Sequence, residues 1–129
     1  MNNEDCHVVL NPKNICTVKD AYKMATELYI NDIIEESCKG VSKAMCKGQL
    51  RYDATFACVI KQKAFYIMEQ IQKRLLNEFR NKGYLVRNQL QQPLDEDDNF
   101  VEIRIYISWD LEEIKKRKDI ERLVNINKI

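Results

Sequence analysis

The sequence predicts an α+β fold in which three strands form one mixed sheet, in the order 1-3-2, with helices packed on one face. Three observations carry this expectation. Apolar residues recur at helical spacing over three stretches, alternate over three others, and the six stretches follow one another as α-β-α-β-β-α. The chain has 129 residues, of which 45% are apolar and 32% charged, with only 3 Gly and 2 Pro. That length suits one domain and can bury a core without disulfide or metal staples.

Residues 1–16 read as an irregular N-terminal arm, with Asn11-Pro12-Lys13-Asn14 as a turn. Residues 17–129 read as a single α+β domain. Thr17 and Asp20 have the spacing of a capping box, with Asp in place of the usual Glu, and open the first helix. Tyr22, Ile30, Ile33, Ile34, Val41, Ala44 and Met45 trace its stripe, with Thr26, Ser37 and Cys38 in the gaps. The helix is expected to reach about Lys47, with Gly40 bending or breaking it at a cost of about 1 kcal/mol and Gly48 closing it.

The period changes at residues 51–60. Tyr52, Ala54, Phe56, Cys58 and Ile60 alternate with Arg51, Asp53, Thr55, Ala57 and Val59, the pattern of a half-buried strand. From Lys61 the spacing is helical again, with Ala64, Ile67, Met68, Ile71, Leu75 and Phe79 on one face and Gly83 as the stop. A short strand follows over Tyr84–Gln89. Pro93 and the run Asp95-Glu96-Asp97-Asp98 read as a solvated loop. Phe100–Trp109 is the strongest strand, with Val101, Ile103, Ile105, Ile107 and Trp109 on one side. Ser108 or Asp110 caps a last helix over 111–124, whose apolar contacts are expected to be Leu111, Ile114, Leu123 and Val124.

The helix between the first two strands serves as a parallel crossover. The last two strands, joined by a loop, pair antiparallel. The last strand is the most apolar and takes the middle position, which gives the order 1-3-2.

Several function classes are disfavoured. The net charge is +1, with 21 basic against 20 acidic residues, so no bulk field points to nucleic acid or an acidic membrane. No run approaches the length of a membrane-spanning helix. The polar start, Met1-Asn2-Asn3-Glu4-Asp5, is not a signal peptide, and a cytoplasmic location is expected. The five cysteines, Cys6, Cys16, Cys38, Cys46 and Cys58, are odd in number and read as reduced thiols. Cys6, His7 and Cys16 match no common zinc spacing. Asp95, Asp97 and Asn99 follow the start of a calcium loop, but Phe100 replaces its glycine and Tyr106 its bidentate glutamate.

His7 is the only histidine, and no nucleophile elbow, phosphate loop or dinucleotide turn is present. No enzyme activity, cofactor or metal is expected. The run Lys115-Lys116-Arg117-Lys118 follows Glu112 and Glu113 at favourable spacing and reads as a charge-laced surface helix.

The informative surface is the sheet face turned away from the helices. Strand parity places Arg51, Asp53, Thr55, Arg87, Gln89, Glu102, Arg104 and Tyr106 there. Arg51, Arg87, Arg104 and Tyr106 are the candidate binding residues, because arginine forks and a tyrosine suit phosphates, bases or a partner's carboxylates. Charge-paired neighbours on a wet face give the same pattern. The aromatic motifs of an RNA-recognition sheet are absent.

Lys82-Gly83-Tyr84-Leu85-Val86, followed by Ile103-Arg104-Ile105-Tyr106-Ile107-Ser108-Trp109, resembles small uncharacterised accessory proteins of tailed phages and other large DNA viruses. The similarity covers about residues 40–110. It implies a viral accessory protein, placed in the host cytoplasm, that binds a host factor, and it brings no catalytic motif. The expected function is therefore a non-catalytic viral accessory protein that binds and modulates a host macromolecule, such as a defence component. The expected partner is a host protein, with no membrane involved. The alternatives are a small-ligand or nucleotide-binding module of the sponge type, and a structural virion or oligomerisation protein that uses its long first helix, with a homo-oligomer as its partner.

Overall fold

The computed structural model describes residues 10–92 and 99–127. Helix α1 (Val18–Cys46) leads to strand β1 (Arg51–Cys58), helix α2 (Ala64–Phe79), strands β2 (Leu85–Gln91) and β3 (Val101–Ser108), and helix α3 (Leu111–Asn127). The expected turn in the arm is present, with Asn14 N–H bonded to the Asn11 carbonyl at 3.0 Å. The segment before Leu10 and the acidic run Asp95–Asp98 lie outside the described residues.

Thr17 opens α1 as expected. Its Oγ1 accepts the Asp20 backbone N–H at 3.2 Å, which satisfies one of the free donors of the first turn. The turns that close α1 and α2 each hold a glycine with positive φ, Gly48 at +73° and Gly83 at +96°, where a side chain would strain the backbone. Gly40 has a different role. It does not break α1, which runs 29 residues without interruption. A Cβ at position 40 would lie 2.3 Å from Cε1 of Tyr52, so the missing side chain makes room for the tyrosine ring of β1.

The sheet has the order β1-β3-β2, and both pairings are antiparallel. Its expected mixed character is absent from the hydrogen bonding. The crossover through α2 makes β1 and β2 run the same way, but β3 fills the slot between them, so parallel strands never touch.

The core lies between this sheet and the α1–α2 layer. Ile103, Ile105 and Ile107 of β3 are fully buried, as are Ile67, Ile71 and Leu75 of α2 and Ile30 of α1. Arg74 of α2 bonds Asn31 and, at 3.3 Å, Glu27 of α1, which ties the two helices at their outer rim.

The last helix departs from the expected single helical layer. Trp109 stays on the core side, its Nε1 donating to the Gln49 carbonyl at 3.0 Å. Asp110 then turns the chain towards the opposite face. Its Oδ1 accepts the N–H groups of Glu112 and Glu113 at 3.1 and 3.4 Å, a cap for the first turn of α3. Of the four expected apolar contacts of this helix, only Ile114 is half-buried, while Leu111, Leu123 and Val124 are exposed. Nine of the fourteen residues 111–124 are charged, and burying them unpaired costs more than their few apolar neighbours return.

The four described cysteines, Cys16, Cys38, Cys46 and Cys58, are free. Among the described residues, no helix is long and apolar enough to cross a membrane.

Candidate anion-binding site

The strand registers put the expected residues on one face. Tyr106 of β3 stands opposite Asp53 of β1 and Arg87 of β2, while Arg104 stands opposite Thr55 and Gln89. The alternation that buries Ile103, Ile105 and Ile107 dictates this arrangement, since each polar neighbour in sequence must point the other way.

Charges on the face are largely matched. Arg104 forks onto Asp53, Nε to Oδ1 at 3.0 Å and Nη2 to Oδ2 at 2.6 Å. Arg51 pairs with Asp110 at 3.1 Å. Tyr106 donates its hydroxyl to the Glu113 carboxylate, with Oε1 at 2.6 Å and Oε2 at 2.7 Å, and so docks α3 on the sheet. Arg87 differs. Among the described residues no carboxylate lies within ion-pair distance of it, and its guanidinium sits 4.8 Å from the centre of the Tyr106 ring.

The proton affinities follow from these contacts. The hydrogen bond from Arg104 holds the Asp53 carboxyl below its ordinary range, against a smaller opposing push from burial. Burial, followed by the nearby Glu113 carboxylate, raises the Tyr106 phenol and keeps it a donor. Burial by itself pushes Glu113 up, but hydrogen bonds from Ser108 and Tyr106 and the charges of Arg51 and Arg87 outweigh it and hold the carboxyl low. The Asp53 and Glu113 carboxyls are therefore held ionised, and the Tyr106 phenol neutral, at neutral pH.

Arg87, Arg104 and Tyr106 line one cavity of about 490 Å³ together with Gln72, Asn88 and Arg117. Among the described residues no carboxylate lines it. Arg51, the fourth candidate, is absent from this lining. A second cavity of about 330 Å³ shares Arg87 and Arg117 with the first, adds Arg80 and Lys118, and has Glu121 as its one acidic wall residue among the described residues.

Arg117 was not legible as a site residue, since its basic run reads as a solvated helix. It reaches the cavity because Glu113, one turn earlier, is fastened to Tyr106. Its own partner is Glu121, at 3.5 Å. Asn88 was missed as well. Its parity groups it with Val86 and Leu90 on the core side of β2, where its amide nitrogen and oxygen are buried and have no hydrogen-bond partner among the described residues. An unmet buried polar group costs about 1–3 kcal/mol. Asn88→Leu should therefore raise the stability by about 1–2 kcal/mol in urea denaturation. A lowered midpoint would mean that an ordered water satisfies the amide.

The zinc candidates Cys6 and His7 lie outside the described residues. Among the described residues no three His, Cys, Asp or Glu side chains converge as metal ligands do. Comparison with protein families, with curated proteins and with solved structures finds no match for this chain.

Proposed function

We propose that the protein is a non-catalytic accessory protein that acts by holding a phosphate-bearing ligand between β2 and α3. The observation that carries this reading is the cavity lined by Arg87, Arg104 and Arg117 without a carboxylate among the described residues. Arg104 and Arg117 are paired with Asp53 and Glu121, which lie outside the lining, while Arg87 has no carboxylate within ion-pair distance among the described residues. Guanidinium groups present planar donor pairs that match phosphate oxygens, and they keep their charge at every physiological pH.

A host macromolecule could meet the same arginines with its own anionic groups. The volume of about 490 Å³ favours a small molecule, since it falls inside the range of about 300–1,000 Å³ typical of small-ligand sites.

Inorganic pyrophosphate, titrated calorimetrically into the full chain, tests the proposal. Arg87→Ala and Arg117→Ala should each weaken binding by about 1.5–3 kcal/mol, the strength of a hydrogen bond to a charged group. Arg104→Ala should weaken it less, because its fork is already engaged by Asp53. That variant should also melt close to the parent, since an exposed ion pair adds little to stability. Arg51→Ala, outside the cavity, should leave binding unchanged. No heat of binding, or an equal loss with Arg51→Ala, would sink the proposal.

A further inference from the structure

We infer that the ligand is a nucleoside polyphosphate, with its phosphates on Arg80, Arg87, Arg117 and Lys118 and its base read by the Asn88 carboxamide. The inference rests on the anion-binding reading above and assigns a part of the ligand to each cavity.

The two cavities share Gln72, Val86, Arg87 and Arg117, and these residues mark the waist where they adjoin. Beyond the waist, the smaller cavity adds Arg80 and Lys118 and, among the described residues, sets only Glu121 against them. Four cations facing one carboxylate suit a chain of phosphates better than a single one. The larger cavity has a different wall. It adds Asn88 and Gln89 to Gln72, which lines both cavities, and each carboxamide offers a donor beside an acceptor. That paired pattern complements the edge of a nucleobase.

Asn88 is the sharpest of the three. Both polar atoms of its amide lack a partner among the described residues, although it sits on an edge strand with only one neighbour. A base entering the cavity that Asn88 lines would give this donor and acceptor the partners they lack among the described residues. An inorganic polyphosphate would leave the carboxamides unused. A nucleic-acid strand needs a cationic track continuing across the face, and there Arg51 and Arg104 are already paired with Asp110 and Asp53.

Competition titrations of the full chain with inorganic tripolyphosphate and the four ribonucleoside triphosphates test the assignment. At least one nucleotide should bind about tenfold or more tightly than tripolyphosphate, the worth of one good amide–base pair. Asn88→Leu should erase that advantage and leave the tripolyphosphate affinity unchanged. Lys118→Glu should weaken nucleotide and tripolyphosphate alike. If tripolyphosphate binds and no nucleotide exceeds it, or if the advantage survives in Asn88→Leu, the inference is overturned while the anion site stands. If neither probe binds, both readings fall together.

Discussion

Ile105→Ala should lower the unfolding free energy by about 2–5 kcal/mol, the range for truncating a buried isoleucine. Ile105 is fully buried at the middle of the central strand, opposite Ala54 on β1 and Asn88 on β2. Neither neighbour is large enough to fill the space that the lost atoms leave. The helices above are held by their own buried contacts, Ile30 and Ile33 in α1 and Ile67, Ile71 and Leu75 in α2, which limits collapse onto the void. The expected loss therefore lies towards the upper end of the range, because the cost grows with the cavity that survives. Urea denaturation measures it. Tyr106→Ala, one residue along, should cost less, since that side chain is only half-buried on the other face. Equal losses would show that the second face supports the fold as strongly as the core does.

Gly40→Ala should destabilise the protein by about 1–3 kcal/mol, the usual cost of overpacking. The sign is not obvious from local preference, because alanine in a helix interior is favoured over glycine by about 1 kcal/mol. Geometry decides against it. The added Cβ would sit 2.3 Å from Cε1, 2.7 Å from Cζ and 2.9 Å from Cδ1 of Tyr52, far inside contact distance. The clash is with an aromatic ring, not with the tip of a long aliphatic chain, so β1 or α1 must shift as a whole. A thermal melt of Gly40→Ala beside the double variant Gly40→Ala/Tyr52→Ala separates the two effects. The double variant should lose less than the sum of the single changes, because the clash vanishes with the ring. A stabilised Gly40→Ala would refute the packing argument.

These two positions also mark what was legible in the sequence. Alternation along residues 101–107 reveals both faces of β3, and with them the buried position of Ile105 and the outward position of Arg104 and Tyr106. The period of α2 exposes its core face as plainly, and the order of elements leads to 1-3-2. Gly40 is different, because its role depends on a ring arriving from a strand twelve residues on, and no local pattern records that approach. The same holds for Arg117, which joins the site only through the docking of α3. Asn88 was readable in principle, since the parity of Val86 and Leu90 puts it inside. A polar residue at a core position is a conflict that points to function or strain. The last helix misled in the opposite direction, because apolar residues at helical spacing say that a face exists and not that anything covers it.

The attachment of α3 has a consequence for motion. Among the described residues only its first turn is fastened, by the Asp110 cap, the Tyr106–Glu113 bond and half-buried Ile114, and from Lys115 to Val124 its side chains are exposed. Backbone hydrogen bonds with so little packing over them open far more often than those of a core strand. Amide exchange should thus run in two classes, with α3 fast while β3 and α2 exchange only on global unfolding. Arg117, one wall of the cavity, belongs to the fast class. A ligand held there adds a contact that exists only while the helix is closed, so occupancy is read out as slowed exchange in the final helix, at amides that need not touch the ligand themselves.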